Sequence, residues 1–90
     1  MLNLRINKNS AKFLKKLVPK HFLQIDKKII DLRKNPFPSD SSSLKGHPNL
    51  FRATAGEYRI IYELNDDTLF INAIGKRNDS EVYKKLMRSS

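Results

Sequence analysis

Two apolar runs joined by a short acidic turn constrain this chain more than any other feature. Tyr58 to Leu64 and Leu69 to Ile74 are each rich in aromatic and β-branched residues, with Asn65-Asp66-Asp67-Thr68 between them. Strand side chains alternate with a period of two, and Asn and Asp favour turns, so the segment reads as an antiparallel hairpin. With Asp66-Asp67 at the turn, Leu64 faces Leu69, Tyr62 faces Ile71 and Ile60 faces Ala73 on the expected core side. The other side carries Arg59, Ile61 and Glu63 beside Phe70, Asn72 and Ile74. A third run, Leu50 to Ala55, precedes this hairpin. If Ala55-Gly56 is also a tight turn, Arg52 lies directly across from Arg59 on the outer face.

Helices are expected to cover the apolar face of such a sheet. Leu2, Leu4 and Ile6 alternate with Asn3, Arg5 and Asn7 as in a strand, and Asn7-Lys8-Asn9-Ser10 then offers capping side chains. From Ser10 to Val18, Phe13, Leu14, Leu17 and Val18 fall on one helical face and Lys12, Lys15 and Lys16 on the other. Pro19 marks a break and suits the first turn of a second helix. There Phe22, Ile25, Ile29 and Leu32 form the apolar stripe, flanked by Leu23 and Ile30. Lys20, Lys27, Lys28, Arg33 and Lys34 make the wet side. Asn35-Pro36 ends this helix, and residues 36–43 read as a loop. After the three strands, Asn78-Asp79-Ser80 supplies caps for a last helix bearing Val82, Tyr83, Leu86 and Met87 near one face. The expected fold is α+β: a single domain over 1–90 in the order β-α-α-β-β-β-α, with a helical hairpin packed on a mainly antiparallel sheet.

At 90 residues the chain has material for one hydrophobic core, which excludes a two-domain enzyme. It contains no cysteine, so disulfides and thiolate metal sites are excluded and a reducing cytoplasm is the expected location. No segment approaches the roughly 18 apolar residues that span a bilayer, and Met1-Leu2-Asn3-Leu4 leads into charged sequence unlike a signal peptide. No membrane partner is expected. Eighteen Lys and Arg against nine Asp and Glu give a net charge of +9, which points to a polyanion or an acidic protein partner. Residues 1–38 hold ten basic and two acidic side chains (+8), residues 39–75 three and five (−2), and residues 76–90 five and two (+3). Each cation of the middle segment therefore needs its own explanation.

Opposed arginines on neighbouring strands repel, so an anion between Arg52 and Arg59 is one reading; neutralisation by Glu57 or Glu63 is the other. Gly75-Lys76-Arg77 adds two cations at the end of the strand beside Arg59, and Tyr83 follows. Guanidinium forks hold phosphates and aromatic planes stack on unpaired bases, so this set suits RNA; alternatively Tyr83 is a core residue of its helix. Clustered carboxylates of the kind that hold nuclease metals are missing. His21, read as a surface residue, and His47, read as a turn residue in Gly46-His47-Pro48, lie on no metal-ligand spacing. The three glycines stand isolated at 46, 56 and 75, away from any phosphate-loop pattern. A reaction without metal or cofactor, or binding alone, is what these residues leave.

Leu44-Lys45-Gly46-His47-Pro48, Phe51-Arg52, Gly56-Glu57-Tyr58-Arg59-Ile60-Ile61-Tyr62, Ile74-Gly75-Lys76-Arg77 and Ser80-Glu81-Val82-Tyr83, in this order, resemble the bacterial RelE/ParE toxin superfamily, and its RelE branch most. The resemblance implies a type II toxin that cleaves messenger RNA in the ribosomal A site without a metal: the ribose 2′-hydroxyl attacks the adjacent phosphate and leaves a 2′,3′-cyclic phosphate and a 5′-hydroxyl. It assigns Arg59 to stabilising the phosphorane, Arg77 to general acid catalysis and Tyr83 to stacking on or orienting the substrate, and puts Arg52 where the family often has a lysine. The family commonly has a second lysine, proposed as general base, where this chain has Thr54. Threonine is no base, and arginine stays protonated to a pKa above about 12, so Tyr83, Lys45, Lys76 or His47 are the remaining candidates, or the reaction runs on positioning and electrostatics alone. Lys45 and Lys76, with Lys12, Lys16, Lys27 and Lys28 on the helices, are the expected RNA and ribosome contacts. The implied partners are an acidic RelB-like antitoxin, in a hetero-oligomer, and the ribosome with its messenger. The rival reading is a ParE-like gyrase-binding toxin, or a RelE fold that has lost activity and acts by binding.

Overall fold

The hairpin that anchors the sequence reading is the centre of the sheet. The protein is described here by a computed structural model covering residues 1–76, in the order β1 (Asn3–Ile6), α1 (Lys8–Lys15), α2 (Pro19–Lys34), β2 (Ser42–Leu44), β3 (His47–Ala55), β4 (Tyr58–Asn65) and β5 (Thr68–Lys76). The helix expected after Asn78-Asp79-Ser80, and with it Arg77 and Tyr83, lies outside the described residues. The five strands form one sheet in the order β1-β5-β4-β3-β2. Only the β1–β5 pair is parallel; the other pairs are antiparallel.

Asn7 starts α1, its side-chain oxygen accepting the Ser10 N–H at 2.9 Å. The helix closes at Lys15, earlier than Val18, because Lys16 N–H and Leu17 N–H turn back to the Phe13 and Leu14 carbonyls in tighter three-residue bonds. Val18 is extended at φ −62°, ψ 152°, as a residue preceding proline prefers, and Pro19 opens α2. Both helices lie on one side of the sheet. Leu14, Ile25, Ile29 and Leu32 meet Ala53, Ala55, Tyr58, Ile60, Tyr62, Leu69, Ile71 and Ile74 in the main core. A smaller cluster of Leu44, Ile61 and Ala73, with Leu50 half-buried against it, occupies the other side.

Four expectations about the sheet are corrected. Ser42 and Ser43, the end of the expected loop of residues 36–43, belong to a short edge strand, and His47 is the first residue of β3 rather than a turn residue. The β3–β4 turn is Gly56-Glu57, with Ala55 opposite Tyr58. Gly56 takes φ +60°, the left-handed value asked of the first turn residue in a type II′ hairpin. The hairpin of β4 and β5 starts in the expected register, with Leu64 opposite Leu69 and Tyr62 opposite Ile71, and then slips by one residue. Beyond a bulge at Asn72, Ile61 faces Ala73 and Ile60 faces Ile74, so Ile74 joins the main core and Ala73 turns outward. Asn7 holds this bulge. Its N–H takes the Ile71 carbonyl at 3.2 Å and its Nδ2 donates to the Asn72 carbonyl at 2.6 Å. Consecutive carbonyls point to opposite sides of a regular strand, so two of them turned to one residue require the irregularity.

Candidate active site

The outer side of β3 and β4 carries Arg52, Thr54, Arg59, Ile61 and Glu63. Arg59, half-buried, stands in the middle of the sheet with Thr54 directly across on β3 and Gly75 directly across on β5. A glycine on one side and a short side chain on the other leave the guanidinium no bulky cross-strand neighbour. Arg52 lies opposite Ile61, so the direct opposition with Arg59 is replaced by a diagonal pairing. Diagonal side chains on adjacent strands are about 7–8 Å apart, where two like charges repel by only about 0.5 kcal/mol in water.

Arg52 is exposed, yet its orientation is fixed: its Nε–H donates to the Ser42 hydroxyl at 2.8 Å, and Ser42 is its register partner on β2. The lead into β2 is fastened in turn. Ser41 donates both its N–H and its hydroxyl to the Pro38 carbonyl, at 2.9 and 2.8 Å, and the Asp40 carboxylate takes the Lys28 ammonium at 2.7 Å. That hydrogen bond holds the Asp40 carboxyl below its ordinary value. Tyr62 donates to the Pro36 carbonyl at 2.5 Å, and its burial raises the phenol's pKa.

The other residues singled out in the sequence are dispersed. Lys76 pairs with Tyr58, and directly opposed residues share a face, so its register is that of the helix side rather than of Arg59. Lys45 occupies the β2–β3 turn, and His47 begins β3 at the end remote from Thr54. Lys12, Lys16 and Lys27 are exposed on the helix layer, on the opposite side of the sheet from the arginines. Lys28 is engaged by Asp40 with its side chain only 18% exposed, and so anchors a loop instead of presenting an open cation. His21 is half-buried rather than a surface residue, because its Nδ1 lies 2.7 Å from the Tyr58 hydroxyl and its ring meets the Tyr58 ring edge-on. Sequence reasoning missed Ser42 and Asp40. A serine-rich run before Leu44 carries no periodic signal that would single out either one.

Comparison with known proteins places this geometry. No family model matches the chain. The mRNA interferase toxin RelE of Escherichia coli strain K12 is 28% identical over 69 residues, 72% of each chain. An archaeal RelE–RelB complex from Pyrococcus horikoshii OT3 superposes with a TM-score of 0.74 at 29% identity, over 84% of this chain and 94% of that one. The chain is thus similar to RelE toxins in both sequence and fold. A mutant E. coli toxin RelE in the free state, 24% identical, shares the fold with a TM-score of 0.79 over 97% of this chain and 95% of that one. Among the described residues no helix is long and apolar enough to cross a membrane.

Proposed function

We propose that this RelE-like chain is the toxin of a type II toxin–antitoxin pair and a metal-independent endoribonuclease that cuts messenger RNA in the ribosomal A site. The observation that carries the reading is Arg59, half-buried between Thr54 and Gly75 with Arg52 on its diagonal. In the reaction the 2′-hydroxyl gives up its proton to water, its oxygen forms a bond to phosphorus as the bond to the 5′-oxygen breaks, and the phosphorane between them gathers negative charge. Guanidinium groups held in advance near its oxygens favour that state over the ground state. Arg59 stabilises the phosphorane and Arg52 holds the phosphate. Arg77 protonates the departing 5′-oxygen and Tyr83 stacks on the substrate, as the family resemblance assigns. The lysines of the helix layer, Lys12, Lys16 and Lys27, supply salt-sensitive attraction to ribosomal RNA, with Lys45 in the β2–β3 turn and Lys76 at the end of β5. An acidic antitoxin that orders on this basic surface is the partner; the similar archaeal RelE forms a complex with RelB.

Primer extension on a translated messenger tests this. Wild type is expected to cut within the reading frame only when ribosomes are present. Arg59→Ala should lower the cleavage rate by about 10²–10³, the usual cost of losing a transition-state donor. A wild-type protein that leaves translated messenger intact would sink the proposal. One observation favours a second reading: Thr54, where the family commonly has its lysine base, sits directly across from Arg59. A binding-only toxin of this fold would arrest growth without cuts, and gyrase-linked DNA breaks would identify a ParE-like target.

A further inference from the structure

We infer that Ser42 is a positioning residue for Arg52, setting the plane in which its guanidinium meets an RNA phosphate; this rests on the ribonuclease reading above. The Arg52 Nε–H donates to the Ser42 hydroxyl at 2.8 Å. A guanidinium is planar, so anchoring Nε fixes the direction in which both terminal nitrogens present their fork. A lysine, which the family often has here, carries no N–H at the Nε position, so the brace works only with arginine. In this chain the anchor narrows the rotamers of a longer, exposed side chain.

Ser42 can do this because it is itself held from both sides. It pairs with Arg52 in the β2–β3 register. Two residues after it, Leu44 is buried against Ile61 and Ala73; two residues before it, Asp40 is tied to Lys28. Ser41 is fastened to Pro38 through its N–H and its hydroxyl. A three-residue strand thereby becomes a rigid shelf, and Lys28 serves the arginine-bearing face from the helix layer without touching substrate.

The test has two arms. In the first, the Arg52 Nε–H resonance of isotopically labelled full-length protein is titrated with a short RNA made non-cleavable by a 2′-deoxy substitution. Ser42→Ala should weaken the apparent affinity read at that resonance several-fold, and Ser42→Thr, which keeps the hydroxyl, should restore it. In the second, cleavage on ribosomes is measured at saturation. Ser42→Ala should lower the maximal rate about three- to tenfold, the range for one ordinary hydrogen bond lost at an exposed site. The same change in an Arg52→Lys background should cost nothing further, whereas a merely structural serine would cost the same in both. Wild-type affinity in Ser42→Ala, or an equal loss in both backgrounds, overturns the inference. If wild type itself fails to cleave, the ribonuclease reading falls and the titration still decides Ser42.

Discussion

Replacing Ile74 with alanine separates the bulged register from the regular one that simple alternation suggests. In the regular register Ile74 sits on the outer face with Arg59; past the bulge at Asn72 it is 1% exposed within the main core. Ile→Ala removes three carbons, worth about 0.8 kcal/mol each on transfer from water, or about 2.4 kcal/mol in all. The cavity left in a tightly packed interior adds to this, and about 3 kcal/mol lies within the range for such truncations. For a domain of this size each kcal/mol moves the midpoint by about 4–8 °C, so Tm should fall by about 12–24 °C. Urea unfolding followed by far-ultraviolet circular dichroism gives the same quantity, with a lower midpoint and an unchanged slope. Leu23→Ala is the control: that side chain is 63% exposed on α2, and its loss should cost no more than about 0.5 kcal/mol. A cost at Ile74 below about 1 kcal/mol would refute the bulged pairing, since an outward-facing isoleucine gives up little on truncation.

Tyr62→Phe keeps the ring in the core beside Phe51 but removes the donor to Pro36, and should cost about 1–1.5 kcal/mol in the same urea titration; no change would mean that the Pro36 carbonyl is satisfied by water. The Lys28–Asp40 pair predicts an acid-side effect. Because the folded Asp40 carboxyl ionises below its ordinary 3.8, its contribution is fully present above that value and is lost as pH falls through the lowered one. With Asp40 43% exposed, solvent and salt screening limit the contribution to less than about 1 kcal/mol. Lys28→Met should therefore narrow the stability gap with wild type below pH 4, and a gap that stays constant down to pH 2 would remove the pair from the account.

The parts of this fold that were legible in the sequence are those set by periodicity and by turn chemistry with a strong residue signal. The stripe of Ile25, Ile29 and Leu32 marks α2, the capping run Asn7-Lys8-Asn9-Ser10 marks the region where α1 starts, and Asp66-Asp67 marks the hairpin turn. The parts that were not legible depend on contacts between distant residues. The bulge at Asn72 is held by Asn7, far away along the chain, while Phe70 to Ile74 is apolar but for Asn72, so either register gives an apolar core side and no warning. β2 is three residues of weak strand propensity, kept in place by pairing with β3 and by the Asp40 and Leu44 anchors. The turn at Gly56-Glu57 lies one residue beyond the expected position because Gly56 bears the positive φ at the first turn position. For the candidate site, strand parity was enough to put Arg52 and Arg59 on one face. Their diagonal spacing and the serine brace required the actual register. His21 read as a surface residue because its partner Tyr58 lies on another element, and no local pattern reports such a pairing.

The parallel pairing of β1 with β5 bears on how the molecule is made. Asn3 meets Thr68 and Ile6 meets Ile71, so the first strand synthesised waits for the last described strand before it finds its neighbour. Non-local parallel pairing of this kind forms slowly, and a chain emerging from the ribosome amino terminus first cannot begin it early. Until β5 is out, Leu14, Ile25, Ile29 and Leu32 lack much of the surface they pack on, and Arg59 has no Gly75 beside it. An interrupted translation product would thus display uncovered apolar helix faces and an arginine face that is not yet assembled.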